Sequence, residues 1–228
     1  MRKILFVAAF MLPVIVFGQL GIGIKAGINF ANITNASEIN AGHQSGFMGG
    51  LFLAPHSQGI MGYRTEILFS RQGYSYASGT NTGNVNLDYI LLPQLMEIHI
   101  SKYFSLQFGM QMAFLINAKA DSTTSTGSGS TNPASKIMDY YNKFDYGFAG
   151  GFEVHPFKGL LVGARYNISL GDLYKDPSSY MTSGGAPPSF IPSVNVKNNV
   201  LQIFAGWIFG GASKSKKKEQ QQQQQPQQ

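Results

Sequence analysis

The sequence predicts an all-β protein: an eight-stranded antiparallel up-and-down transmembrane β-barrel with short periplasmic turns and long extracellular loops. Three observations predict it. Eight stretches alternate apolar with small or polar residues, and the connectors between them are alternately long and short. Beyond residue 17 no apolar run approaches helix-spanning length, and cysteine is absent altogether. The clearest stretch is 104–114, where Phe104, Leu106, Phe108, Met110, Met112 and Phe114 alternate with Ser105, Gln107, Gly109, Gln111 and Ala113. Successive side chains of a strand point to opposite faces, so this ribbon has one oily face and one wet face. About 9–11 tilted residues of this kind cross a bilayer.

The other ribbons follow in order. In 21–32, Ile22, Ile24, Ala26, Ile28 and Phe30 share one face, and Gly23, Lys25, Gly27 and Asn29 the other. The second, 45–54, mixes Gly with apolar residues, so alternation leaves its facing open. A turn at 55–59 leads to 60–72, where Tyr63, Thr65, Ile67 and Phe69 oppose Arg64, Glu66, Leu68 and Ser70. A Gly/Ser/Thr/Asn-rich loop is expected over 74–86. The fourth, 87–100, contains Pro93, which a central sandwich strand tolerates poorly, and its register is also open. Ser101-Lys102 turns the chain into the ribbon quoted above, and a low-complexity connector containing 121–130 then runs to about 142. In 144–155, Phe144, Tyr146, Phe148, Phe152 and Val154 oppose Asp145, Gly147, Ala149, Gly151 and Glu153. In 160–171, Val162, Ala164, Tyr166 and Ile168 oppose Gly163, Arg165, Asn167 and Ser169. After a Pro/Ser/Gly-rich connector over 172–197, the last ribbon, 199–209, shows Leu201, Ile203, Ala205, Trp207 and Phe209 on one face, with Gln202 and Gly206 opposite.

Hydrocarbon offers no hydrogen bonds, so an open sheet edge is excluded and the eight strands must close on themselves. An eight-stranded barrel has an interior that side chains roughly fill. The expected lumen network is Lys25, Asn29, Arg64, Glu66, Gln107, Gln111, Asp145, Glu153, Arg165, Asn167 and Gln202. Its three cations balance its three anions, as a low-dielectric interior requires.

The N-terminus has the form of a cleaved export signal over residues 1–18: Met1-Arg2-Lys3, an uncharged apolar run, then Val16-Phe17-Gly18. The barrel domain is expected over 19–210, and a disordered periplasmic tail over 211–228, which is rich in Lys and Gln. The formal net charge is +6. Arg2 and Lys3 leave with the signal, and four Lys less one Glu in 214–219 carry +3, so the barrel keeps +1. The basic character therefore sits in two appendages, and no nucleic-acid partner is expected.

Chemistry finds little purchase. The four histidines, His43, His56, His99 and His155, lack a Ser or acid at a spacing that suggests a triad. No His/Cys/Asp cluster has metal-ligand spacing. Neither enzymatic activity nor a cofactor is expected. The inward charges read either as a self-neutralising filling or as the lining of an ion path, and the narrow lumen favours the filling. The loops are the expected working surface.

Three motifs carry a family resemblance: Gly27-Ile28-Asn29-Phe30-Ala31, Leu87-Asp88-Tyr89-Ile90-Leu91-Leu92-Pro93, and Asn198-Asn199-Val200-Leu201-Gln202-Ile203. In this order they resemble the PorT-like outer-membrane β-barrel family of Bacteroidota. The resemblance implies a location in the cell outer membrane of a Gram-negative bacterium, a porin-like or structural role, and no catalytic residues. It implies outer-membrane lipid and the barrel-assembly machinery as partners, with a surface or secretion-system protein as a further one.

Overall fold

The computed structural model describes residues 20–34, 40–55, 59–78, 81–123, 138–175 and 196–209. The expected signal at 1–18 and tail at 211–228 lie outside them, as does most of the 121–130 stretch. Eight strands form: β1 (Leu20–Ile33), β2 (Gly42–Pro55), β3 (Met61–Ser78), β4 (Asn81–Ser101), β5 (Phe104–Thr123), β6 (Phe144–Val154), β7 (Leu160–Ser169) and β8 (Asn198–Phe209). Each pairs antiparallel with the next, and β1 pairs with β8 from Ile22↔Phe209 to Ile33↔Asn198, closing the ring.

Alternation sorts the side chains as a lipid-facing barrel requires. On β5, Phe108 is 47% exposed and Met110 53%, whereas Gln107 is 2% exposed. The apolar faces of β1, β6, β7 and β8 are outward in the same way. Backbone groups that hydrocarbon cannot satisfy are satisfied across the ladders instead.

Two expectations are corrected. The 74–86 segment is not a loop. It continues the β3–β4 hairpin in register from Gly73↔Asn86 to Ser78↔Asn81, so only residues 79–80 separate the strands. Its Gly, Ser and Asn content suggested a turn, but Tyr74, Tyr76 and Val85 alternate and are buried. Tertiary burial overrides local preference there. The strict long–short alternation of connectors therefore fails at β3–β4.

Closure also decides what alternation left open. On β2, Met48, Phe52 and Ala54 point inward; on β4, Leu87, Tyr89, Leu91, Leu95 and Glu97 do. Pro93 lies between the rungs Leu68↔Leu91 and Thr65↔Gln94, where the β3–β4 ladder is interrupted, so its missing N–H breaks no rung with β3. The lumen is consequently not polar throughout. Its long-loop half carries an apolar and aromatic core of Leu68, Tyr74, Leu87, Tyr89 and Leu91.

Substituting Phe108 by Arg puts a charge on the lipid face and is expected to cost about 2–4 kcal/mol near the bilayer midplane. Equilibrium urea unfolding from liposomes measures it. Gln107→Arg, on the lumen side of the same strand, should cost less.

Candidate functional site

The short-turn half of the lumen gathers its charges from five strands, and β5 adds the amide of Gln107. Lys25 of β1 approaches Glu66 of β3 at 2.6 Å and Glu153 of β6 at 3.3 Å. Arg165 of β7 donates to both carboxylate oxygens of Glu66, at 2.7 and 2.9 Å, and to Gln107 Oε1 at 2.9 Å. Arg64 of β3 reaches Glu153 at 2.6 Å and Glu97 of β4 at 2.7 Å. Gln107 Nε2 of β5 donates to Glu97 Oε1 at 2.6 Å. All these side chains are buried.

Two rings complete the packing. Lys25 Nζ lies 4.0 Å from the centroid of Phe204, and the Arg64 guanidinium lies 4.6 Å from that of Phe52. Such contacts favour desolvated cations. Glycine makes the space: a Cβ on Gly163 would come within 2.9 Å of both Glu153 Cγ and Phe204 Cε2.

Of the expected network, Lys25, Arg64, Glu66, Gln107, Glu153 and Arg165 come together here. Asp145 does not. The third anion opposite the three cations is Glu97, which stands on the strand whose register alternation left open. Asn29 belongs to a separate polar layer: its Nδ2 donates to Ser70 Oγ at 2.8 Å and Arg71 O at 2.9 Å, and Gln72 and Asn198 extend the chain. Gln111, Asp145 and Asn167 line a small cavity beyond it. Gln202 pairs in the ladders with both Asn29 and Arg165, but its buried amide makes no hydrogen bond.

Sequence reasoning missed a second closure at the long-loop end. Tyr74 Oη hydrogen-bonds the hydroxyls of Tyr141 and Tyr174, at 2.8 and 2.5 Å. Tyr141 and Tyr174 bridge the two connectors that carry them, and Leu173 N donates to Val196 O at 2.9 Å. Burial and the neighbouring Tyr174 hold the Tyr141 phenol well above its ordinary pKa. These tyrosines lie in or beside segments whose composition reads as loop, so period-2 alternation did not reveal them.

Folding also brings Ser105 to His155, which spacing did not suggest. Ser105 Oγ is 3.0 Å from His155 Nε2, and Glu153 Oε2 is 3.8 Å from the same nitrogen. A triad needs the acid on Nδ1 and the nucleophile on Nε2. With both on one nitrogen the ring has no proton relay. Burial lowers the His155 pKa, so the ring is neutral at pH 7.

Glu66→Gln strands Lys25 and Arg165 beside a neutral amide and is expected to cost about 3–5 kcal/mol. Arg71→Ala breaks the half-exposed Arg71–Asp88 pair, at 2.7 Å, and is expected to cost at most about 1 kcal/mol. Parallel urea titrations of the two variants in liposomes check the contrast.

The family model described as outer membrane protein beta-barrel domain matches residues 13–175. No curated protein matches. Among solved structures, the chain is similar to Ail, the attachment invasion locus protein of Yersinia pestis, at 15% identity, covering 84% of this chain and 100% of that one, with a TM-score of 0.45. It is similar to Neisserial surface protein A at 12% identity, covering 82% and 96%, with a TM-score of 0.46. OprG from Pseudomonas aeruginosa matches at 13% identity, covering 85% and 97%, with a TM-score of 0.41. Likeness at that level carries no functional argument.

Proposed function

The chain belongs to the outer membrane protein β-barrel domain family, and from that premise we propose that it is a closed scaffold, with its long-loop end as interaction surface, rather than a pore. It is an integral protein of the cell outer membrane. One observation carries the proposal: three cations and three anions cross-link the lumen between Phe52 and Phe204. A solvated ion has no room where buried side chains bond one another across the lumen. The tyrosine cluster at the other end supports the same reading.

In this role the lumen network is structural. It ties six strands together and holds the loop-bearing end rigid, which suits function carried on connectors. The proposal includes export by the 1–18 signal and a periplasmic tail at 211–228. The assembly machinery then reads β8 inside the chain. Nothing in it requires catalysis.

The order of the PorT-like motifs favours a second reading, an accessory barrel for export of other proteins. Deleting the gene and comparing the secreted proteins tests it: an unchanged set excludes that role.

Planar-bilayer recording tests the scaffold. Wild-type protein is expected to show no steady conductance. A steady conductance that Arg165→Ala alters would replace the scaffold with a channel lined by these charges.

A further inference from the structure

We propose that the long-loop half of the lumen binds a single sodium ion, held by the Asp145 carboxylate and the neutral oxygens of Tyr89, Gln111, Asn167 and Asn198. This goes beyond the scaffold role and does not depend on it.

Charge is the first argument. In the short-turn cluster Lys25, Arg64 and Arg165 are matched by Glu66, Glu97 and Glu153, so that cluster is neutral by itself. Asp145 faces the lumen from β6 and makes no ion pair among the described residues. Ser169 Oγ, at 2.6 and 2.7 Å, and Tyr146 N, at 2.7 Å, donate to it. These bonds orient the carboxylate and partly offset its charge without pairing it with a cation. Lys197, whose charge reaches it, forms no ion pair with it. A carboxylate partly withdrawn from water and without an ion pair favours a positive charge beside it.

The second argument is the donor set. Asp145, Tyr89, Gln111, Asn167 and Asn198 line one cavity of about 20 Å³, the size for one small ion or one water. Tyr89 Oη, Gln111 Oε1, Asn198 Oδ1 and both amide atoms of Asn167 have no hydrogen-bond partner, although Tyr89 is 1% exposed and Asn167 4%. Buried polar atoms are nearly always partnered, so this concentration needs a cause. Asn198 Nδ2 is already committed to Gln72, which leaves the Asn198 oxygen as its free atom.

The third is the chemistry of those atoms. Oxygen donors without sulfur or imidazole suit a hard cation. No group of three His, Cys, Asp or Glu residues placed to hold a metal ion occurs among the described residues, so a multi-carboxylate calcium cage is not built there. One carboxylate neutralises one positive charge, which selects a monovalent ion over a divalent one.

The test is equilibrium urea unfolding of the folded barrel in liposomes, in sodium chloride against choline chloride at equal ionic strength. Sodium should raise the midpoint with saturation, by linkage to the folded state, and choline should not. Asp145→Asn should abolish the difference. Gln111→Met keeps the volume and removes one oxygen, so half-saturation should need about tenfold more sodium. If Asp145→Asn fails to insert, the Gln111→Met shift decides. A wild-type midpoint indifferent to sodium overturns the proposal in favour of a water or a protonated Asp145. So does a sodium response that survives Asp145→Asn, or a response to calcium chloride alone.

Discussion

Hydrocarbon cannot accept or donate a hydrogen bond, and the pairing of β1 with β8 is the structural answer to that constraint. Without it, Leu20–Ile33 and Asn198–Phe209 would each present a row of bare N–H and C=O groups to lipid. With it, every strand has two neighbours and every residue one of two fates, lipid or lumen. Closure at eight strands then makes the lumen narrow. The inward residues have no solvent to fall back on and must satisfy one another.

Most of them do so in layers. Near the short turns a neutral set of six charges is capped by the rings of Phe52 and Phe204. Above it lies a band of amides and hydroxyls around Asn29, Ser70, Gln72 and Asn198, and an apolar and aromatic core interleaves with that band from Leu68 and Leu91 up to the tyrosine cluster. A buried ion pair is weak ground for stability by itself, because desolvation offsets most of its attraction. Its value here is register. Arg165 meets Glu66 bidentately only if β7 and β3 hold their heights across the barrel, and a one-residue slip would turn either side chain into lipid.

The candidate network was legible wherever strict alternation named a face. Lys25, Arg64, Glu66, Gln107, Glu153 and Arg165 stand opposite bulky apolar residues, and period 2 was enough to place them inward. It failed at Glu97, since β4 is apolar on both faces and carries Pro93. It also failed at Phe52, which stands between Leu51 and Leu53 on a strand that mixes glycines with apolar residues on both faces. Counting charges without β4 assigned Asp145 to a balance that Glu97 supplies. Asp145 then stands apart, in a cavity of unpartnered oxygens.

By itself the sequence determined the class, the strand number and the oily face, because a two-residue period and the bilayer's refusal of hydrogen bonds are local constraints. It also determined which six side chains of the charge cluster face inward on the alternating strands. Only the tertiary structure decided where β3 and β4 end, which face of β4 is the lumen, and which carboxylate meets which cation. Those depend on heights across the barrel, between residues as distant as Lys25 and Glu153. Such heights are set when β1 closes on β8, and no local pattern records them.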